Sequence, residues 1–146
     1  MTVVALDPGG TTGVAILDYK QVHQFQVETS SPRELVTIWE NLNIAGPEEV
    51  VIERFQFRYG GGRSKVVLTP VEVIGVVKLY CAMKKIRLYE QTPAQAKKLI
   101  TDDKIRKLGL WVPGQPHAMD ATRHLLYHLI VTRREKRWLE QLRPNE

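Results

Sequence analysis

The chain has 146 residues, 43% of them hydrophobic and 25% charged, with a net charge of +5 and one cysteine, Cys81. That length suits one domain with its own core, and a lone cysteine excludes an intrachain disulfide and a Cys-rich zinc site; no apolar run reaches the roughly 18 residues of a membrane span, and the opening MTVVALDPGG has no signal-type pattern, so a reducing cytoplasm (bacterial, or a host's if the protein is viral) and no membrane are expected. Residues 1–57 hold three Lys/Arg against eight Asp/Glu, whereas residues 58–146 hold eighteen against eight, which gathers acids early and leaves a later basic surface suited to a polyanion.

Residues 3–7 are an apolar run ending in Asp7, followed by the turn signal Pro8-Gly9-Gly10. Residues 13–18 (GVAILD) resume as a strand, and 21–29 alternate Val22, Phe25 and Val27 as a third strand does. Connections this short suit an antiparallel meander. Ser30 or Ser31 then caps a helix opened by Pro32, with Glu34 in its first turn and Leu35, Ile38, Trp39 and Leu42 at helical spacing up to Gly46-Pro47. Residues 49–53 (EVVIE) form a short buried strand, again ending in an acid. The stretch 54–69 sets a glycine triplet among arginine, lysine and aromatic residues and predicts a mobile loop. Residues 70–85 predict a helix apolar on nearly every side, sandwiched centrally or held in a dimer. Residues 86–91 form the last strand, and Thr92-Pro93 opens a short helix ending near Leu99. A polar, basic segment follows at 101–108; residues 116–134 form the final core helix, which runs into a charged tail at 135–146.

The order β-β-β-α-β-α-β-α-α implies an α/β chain in one domain, 1–146. Its mixed five-stranded sheet would join a three-stranded antiparallel meander to parallel strands, flanked by helices, as in the ribonuclease H-like fold. Asp7 ends the first strand, Glu53 the fourth, and Asp120 lies in the first turn of the last helix. If the first and fourth strands are parallel neighbours, Asp7 and Glu53 emerge at the edge where α/β sheets place their ligands. His117 precedes Asp120 by three residues and so shares its helical face. Each of these residues alone has a structural explanation, in a turn or at a helix start. Together they make three carboxylates and an imidazole able to converge. Hard oxygen donors suit Mg²⁺ or Mn²⁺, and clustered carboxylates repel unless cations or protons neutralise them.

At these residues the chain resembles the RuvC family of Holliday junction resolvases, within the ribonuclease H-like superfamily. The resemblance covers most of its length. Ala5-Leu6-Asp7-Pro8-Gly9 with Gly13 is similar to the family's opening, Val51-Ile52-Glu53 to its second acidic strand, Pro93 with Lys97 to its proline-to-lysine segment, and His117-Ala118-Met119-Asp120-Ala121 to its closing motif. The resemblance implies Asp7, Glu53, His117 and Asp120 as catalytic metal ligands, and Lys97, Lys98 and Lys104 as DNA contacts. Where the family carries an aromatic three residues past the second acid, this chain has Gln56, between Phe55 and Phe57.

The residues themselves suit phosphodiester hydrolysis with two Mg²⁺ or Mn²⁺ ions, leaving a 5′-phosphate and a 3′-hydroxyl. The basic residues Arg54, Arg58, Arg63 and Lys65 would grip phosphates, and Phe55, Phe57 or Tyr59 would stack on opened bases. A four-way junction has two-fold symmetry, so paired incision calls for a homodimer, for which helix 70–85 is the natural surface. The alternatives are a nuclease of the same fold acting on other branched DNA or on structured RNA, and a junction-binding protein without catalysis.

Overall fold

In the computed structural model, residues 1–56 and 68–143 are described. β1 (Thr2–Asp7), β2 (Thr11–Asp18) and β3 (Gln21–Glu28) form the antiparallel meander. α1 (Pro32–Ala45) leads into β4 (Glu49–Glu53), and α2 (Thr69–Lys84) leads into β5 (Arg87–Gln91). Then come α3 (Pro93–Leu99), α4 (Asp102–Lys107), α5 (Pro116–Tyr127) and α6 (Lys136–Gln141). The sheet runs β3-β2-β1-β4-β5, with β4 parallel to both β1 and β5. Phe57, Arg58, Tyr59, Arg63 and Lys65 lie outside the described residues.

Local chemistry sets the boundaries. Ser31 accepts the backbone N–H of Glu34 to start α1, and Gly46, at φ +57°, stops it in the left-handed region. Thr92 and Gln95 bond reciprocally across the first turn of α3. Strand alternation then sorts the apolar residues into two cores. Val3, Ala5, Ala15, Leu17 and Val51 meet α5, while Val4, Leu6, Val14, Val50 and Ile52 meet α1 and α2.

Three elements differ from expectation. The final helix keeps α-helical geometry only to Tyr127 and continues as a π-helical turn, His128–Thr132. This wider turn brings His128 and Arg133 together on the buried carboxylate of Glu49. The charged stretch after residue 135 contains α6, whose Trp138 is buried in the core under α5. Finally, α2 packs on one face only, so of the two readings of its apolarity the central sandwich does not hold. Val73, Ile74, Val77, Tyr80 and Cys81 are buried, whereas Val71, Leu79 and Met83 are 42%, 56% and 64% exposed. No helix among the described residues is long and apolar enough to cross a membrane.

Candidate active site

The sheet register lines up one row of side chains. Asp7 pairs with Gly13, Gly13 with Gln26, and Glu53 with Gln91. Because Leu6 lies opposite Ile52, Asp7 falls beside Glu53. The row Gln26–Gly13–Asp7–Glu53–Gln91 therefore crosses all five strands, on the face covered by α5. The turn that follows Asp7 is pinned from β3's end: Thr29 Oγ1 donates to Gly9 O at 2.5 Å, and Thr29 N to Gly10 O at 2.8 Å.

The first turn of α5 docks directly on this row. A Cβ on Gly13 would lie 1.8 Å from the backbone oxygen of His117, so the close approach demands glycine. Gln115, at the helix start, supplies no cap; instead Gln26 Oε1 accepts from His117 N at 2.8 Å and Ala118 N at 3.2 Å. Two helix-start N–H groups are thus satisfied from the neighbouring strand. His117 Nδ1 reaches Asp7 Oδ2 at 3.3 Å.

Asp7 is buried, with 8% of its surface exposed. Burial, reinforced by the charges of Glu53 and Asp120, pushes its carboxyl up to about 6 against the opposing pull of His117. Asp120 accepts from Arg123 Nε at 3.3 Å. The Arg123 guanidinium is itself fixed by Ile100 O at 2.8 Å and Asp102 Oδ1 at 2.6 Å, which ties Asp120 to the α3–α4 junction. Glu53 Oε2 lies 2.7 Å from His124 Nε2. Each carboxylate thus has a basic partner. Among the described residues no three His, Cys, Asp or Glu side chains form a ready-made metal cage. The donor set nonetheless fits a hard divalent cation: carboxylate oxygens near enough to raise the Asp7 pKa, plus an imidazole.

Beside Glu53 opens a cavity of about 270 Å³ lined by Arg54, Phe55, Gln56 and Lys97 among prolines. Of the predicted DNA contacts, Lys97, Arg54 and Phe55 therefore lie next to Glu53. Arg54 also pairs with Glu90 at 3.5 Å. Lys98 is exposed on α3. Lys104 donates from Nζ to Leu99 O at 2.6 Å, bridging α4 to the end of α3.

Gln26, Gln91, Arg123 and His124 are site residues that sequence reasoning missed. Gln91 had a signal: it ends β5 as Asp7 and Glu53 end their strands. So did His124, seven positions after His117 and four after Asp120, on the same helical face.

No protein-family model matches the chain. It is 33% identical over 116 residues to the crossover junction endodeoxyribonuclease RuvC of Caldicellulosiruptor saccharolyticus, an alignment covering 69% of this chain and 68% of that protein. Among solved structures, Thermus thermophilus RuvC in complex with a Holliday junction substrate superposes with a TM-score of 0.69 at 22% identity, covering 92% of this chain and 96% of that one. The fowlpox virus resolvase, solved with Holliday junction DNA, gives a TM-score of 0.58 at 14% identity, over 86% of this chain and 97% of that one.

Proposed function

The chain belongs to the RuvC family of crossover junction endodeoxyribonucleases, and from that premise we propose that it resolves four-way DNA junctions by paired, metal-dependent hydrolysis of phosphodiesters. The observation that carries the proposal is the single row that sets Asp7 beside Glu53 beneath the helix bearing His117 and Asp120. A protein that only gripped phosphate would gain nothing from assembling anions, since they repel the backbone they must bind.

Asp7, Glu53, Asp120 and His117 would hold two Mg²⁺ or Mn²⁺ ions, and Asp7 is the most buried of the three carboxylates. The ions would supply charge for the attacking water and the leaving 3′-oxygen, giving 5′-phosphate and 3′-hydroxyl ends. Around this centre the chain's own groups hold the strand: Lys97 and Arg54 border the cavity beside Glu53, and Phe55 offers an aromatic face there. Lys98 and Lys104 extend the basic surface along α3 and α4, and Arg58, Arg63, Lys65 and Phe57 complete the proposed contacts. The protein works as a homodimer in the cytoplasm, joined through the exposed apolar side of α2, and 1–146 acts as one nuclease domain.

The test is incision of a synthetic four-way junction. With Mg²⁺ or Mn²⁺ the wild type is expected to nick opposing strands symmetrically and leave religatable ends. Glu53→Gln and Asp120→Asn should each lose about 1,000-fold in cleavage, equivalent to several kcal/mol of barrier, while still binding the junction. Cleavage at wild-type rate by either variant, or by the wild type in EDTA, would mean the site is drawn wrongly.

A further inference from the structure

His124 sits one helical turn beyond Asp120 and is 1% exposed, among the buried Ala121, Leu125 and Leu126. An imidazole in such surroundings is costly unless its nitrogens are bonded. Both are. Nε2 lies 2.7 Å from Glu53 Oε2, and Nδ1 lies 2.8 Å from Gln91 Oε1. Gln91 completes the clamp by donating from its own Nε2 to His124 O at 3.2 Å. Since Glu53 and Gln91 are register partners on parallel strands, the ring spans two adjacent strand ends and its plane is set from opposite edges.

We propose that His124 is a positioning residue for the second carboxylate: anchored on Gln91, it ties down Glu53 Oε2 and leaves Oε1 for the metal. The proposal rests on the nuclease reading above and adds to it the group that orients Glu53. A glutamate at a strand end has three side-chain torsions to immobilise, and a carboxylate already held by one oxygen loses less freedom on taking a cation. Hydrogen bonds of this kind to a ligating carboxylate are worth about 10–100-fold in metal affinity.

The same helix offers an internal control. One turn further on, His128 Nε2 bonds Glu49 Oε2 at 2.5 Å, at the opposite end of β4. His128 is equally buried, but its Nδ1 has no hydrogen-bond partner among the described residues, and Glu49 lies opposite Val3, at the far end of β1 from Asp7. If burial and packing were all that mattered, the two pairs would behave alike.

Calorimetric titration of the whole protein with Mn²⁺ separates these cases, with thermal melting in EDTA to confirm folding. His124→Leu and Gln91→Leu are expected to bind Mn²⁺ about 10–100-fold more weakly than wild type. His124→Gln, which keeps an amide donor toward Glu53, should recover much of the loss. His128→Gln should melt earlier and yet bind Mn²⁺ as wild type does. Where His124→Leu does not fold, Gln91→Leu carries the test. The proposal is overturned if a folded His124→Leu or Gln91→Leu keeps wild-type affinity, if His124→Gln is as weak as the leucine variant, or if His128→Gln weakens binding equally. Unchanged Mn²⁺ affinity in Glu53→Gln would instead sink the nuclease reading itself.

Discussion

Asp7 faces two further carboxylates from a position with 8% exposure, so its ionised form is the one that strains the folded state. The folded carboxyl titrates at about 6, above its ordinary 3.8, so between those values the folded protein binds a proton that the unfolded chain does not. Stability without metal is therefore lowered as pH rises through that window, and the full penalty stands above about pH 6. Asp7→Asn should remove it. In EDTA at pH 7 the variant is expected to be more stable than wild type by about 1–3 kcal/mol, with the advantage gone by about pH 4, while cleavage is lost. Urea unfolding of both proteins at several pH values checks this; an advantage independent of pH would assign the gain to something other than ionisation. The nearness of Asp7 to Glu53 was legible in the sequence because acids at strand ends follow from alternation and turn chemistry, and the pairing of His117 with Asp120 on one face because they stand three residues apart on a helix. The contacts of Gln26 and Arg123 were not, because they depend on which strand and loop α5 covers.

At the scale of elements, the fit of α5 onto β2 is the least forgiving contact. Gly13→Ala would drive a methyl into the backbone of His117, so α5 must lift from the sheet. Overpacking of this kind costs about 1–3 kcal/mol. The larger consequence is displacement of His117 from Asp7, and cleavage is expected to fall further than stability. A variant that melts like wild type and still cuts would show that the helix start has room. The α2 helix makes a different point. Its uniform apolarity was plain in the sequence, yet only the packed structure distinguishes the buried Val73 and Val77 from the exposed Leu79 and Met83. Leu79→Glu should leave the fold intact and yield monomers that nick one strand rather than two, as read by analytical ultracentrifugation and by a cruciform plasmid. A wild type that sediments as a monomer at micromolar concentration would count against the dimer.

Across the whole molecule, charge is divided between a carboxylate centre and a basic surround, and the proposed function gives the two separable parts in DNA binding and cleavage. Lys97 borders the cavity beside Glu53. Replacing it with alanine should weaken junction binding about equally for every sequence and lower the salt slope by about one unit. A loss confined to some sequences would reveal base readout instead. The five strands and helices α1, α2 and α3 were legible to within a few residues, since caps such as Ser31, Thr92 and Gly46 are local signals. The π-helical turn and the anchoring of Trp138 were not, because both answer to partners distant in sequence.

The row of strand ends has a temporal side as well. His117 meets Asp7 across 110 positions, and His124 meets Glu53 across 71. Contacts between such distant segments wait on loop closure and form slowly. A chain still folding is therefore expected to form its meander and helices before the residues of the proposed site converge. On refolding, incision is therefore expected to return later than the helical signal in circular dichroism.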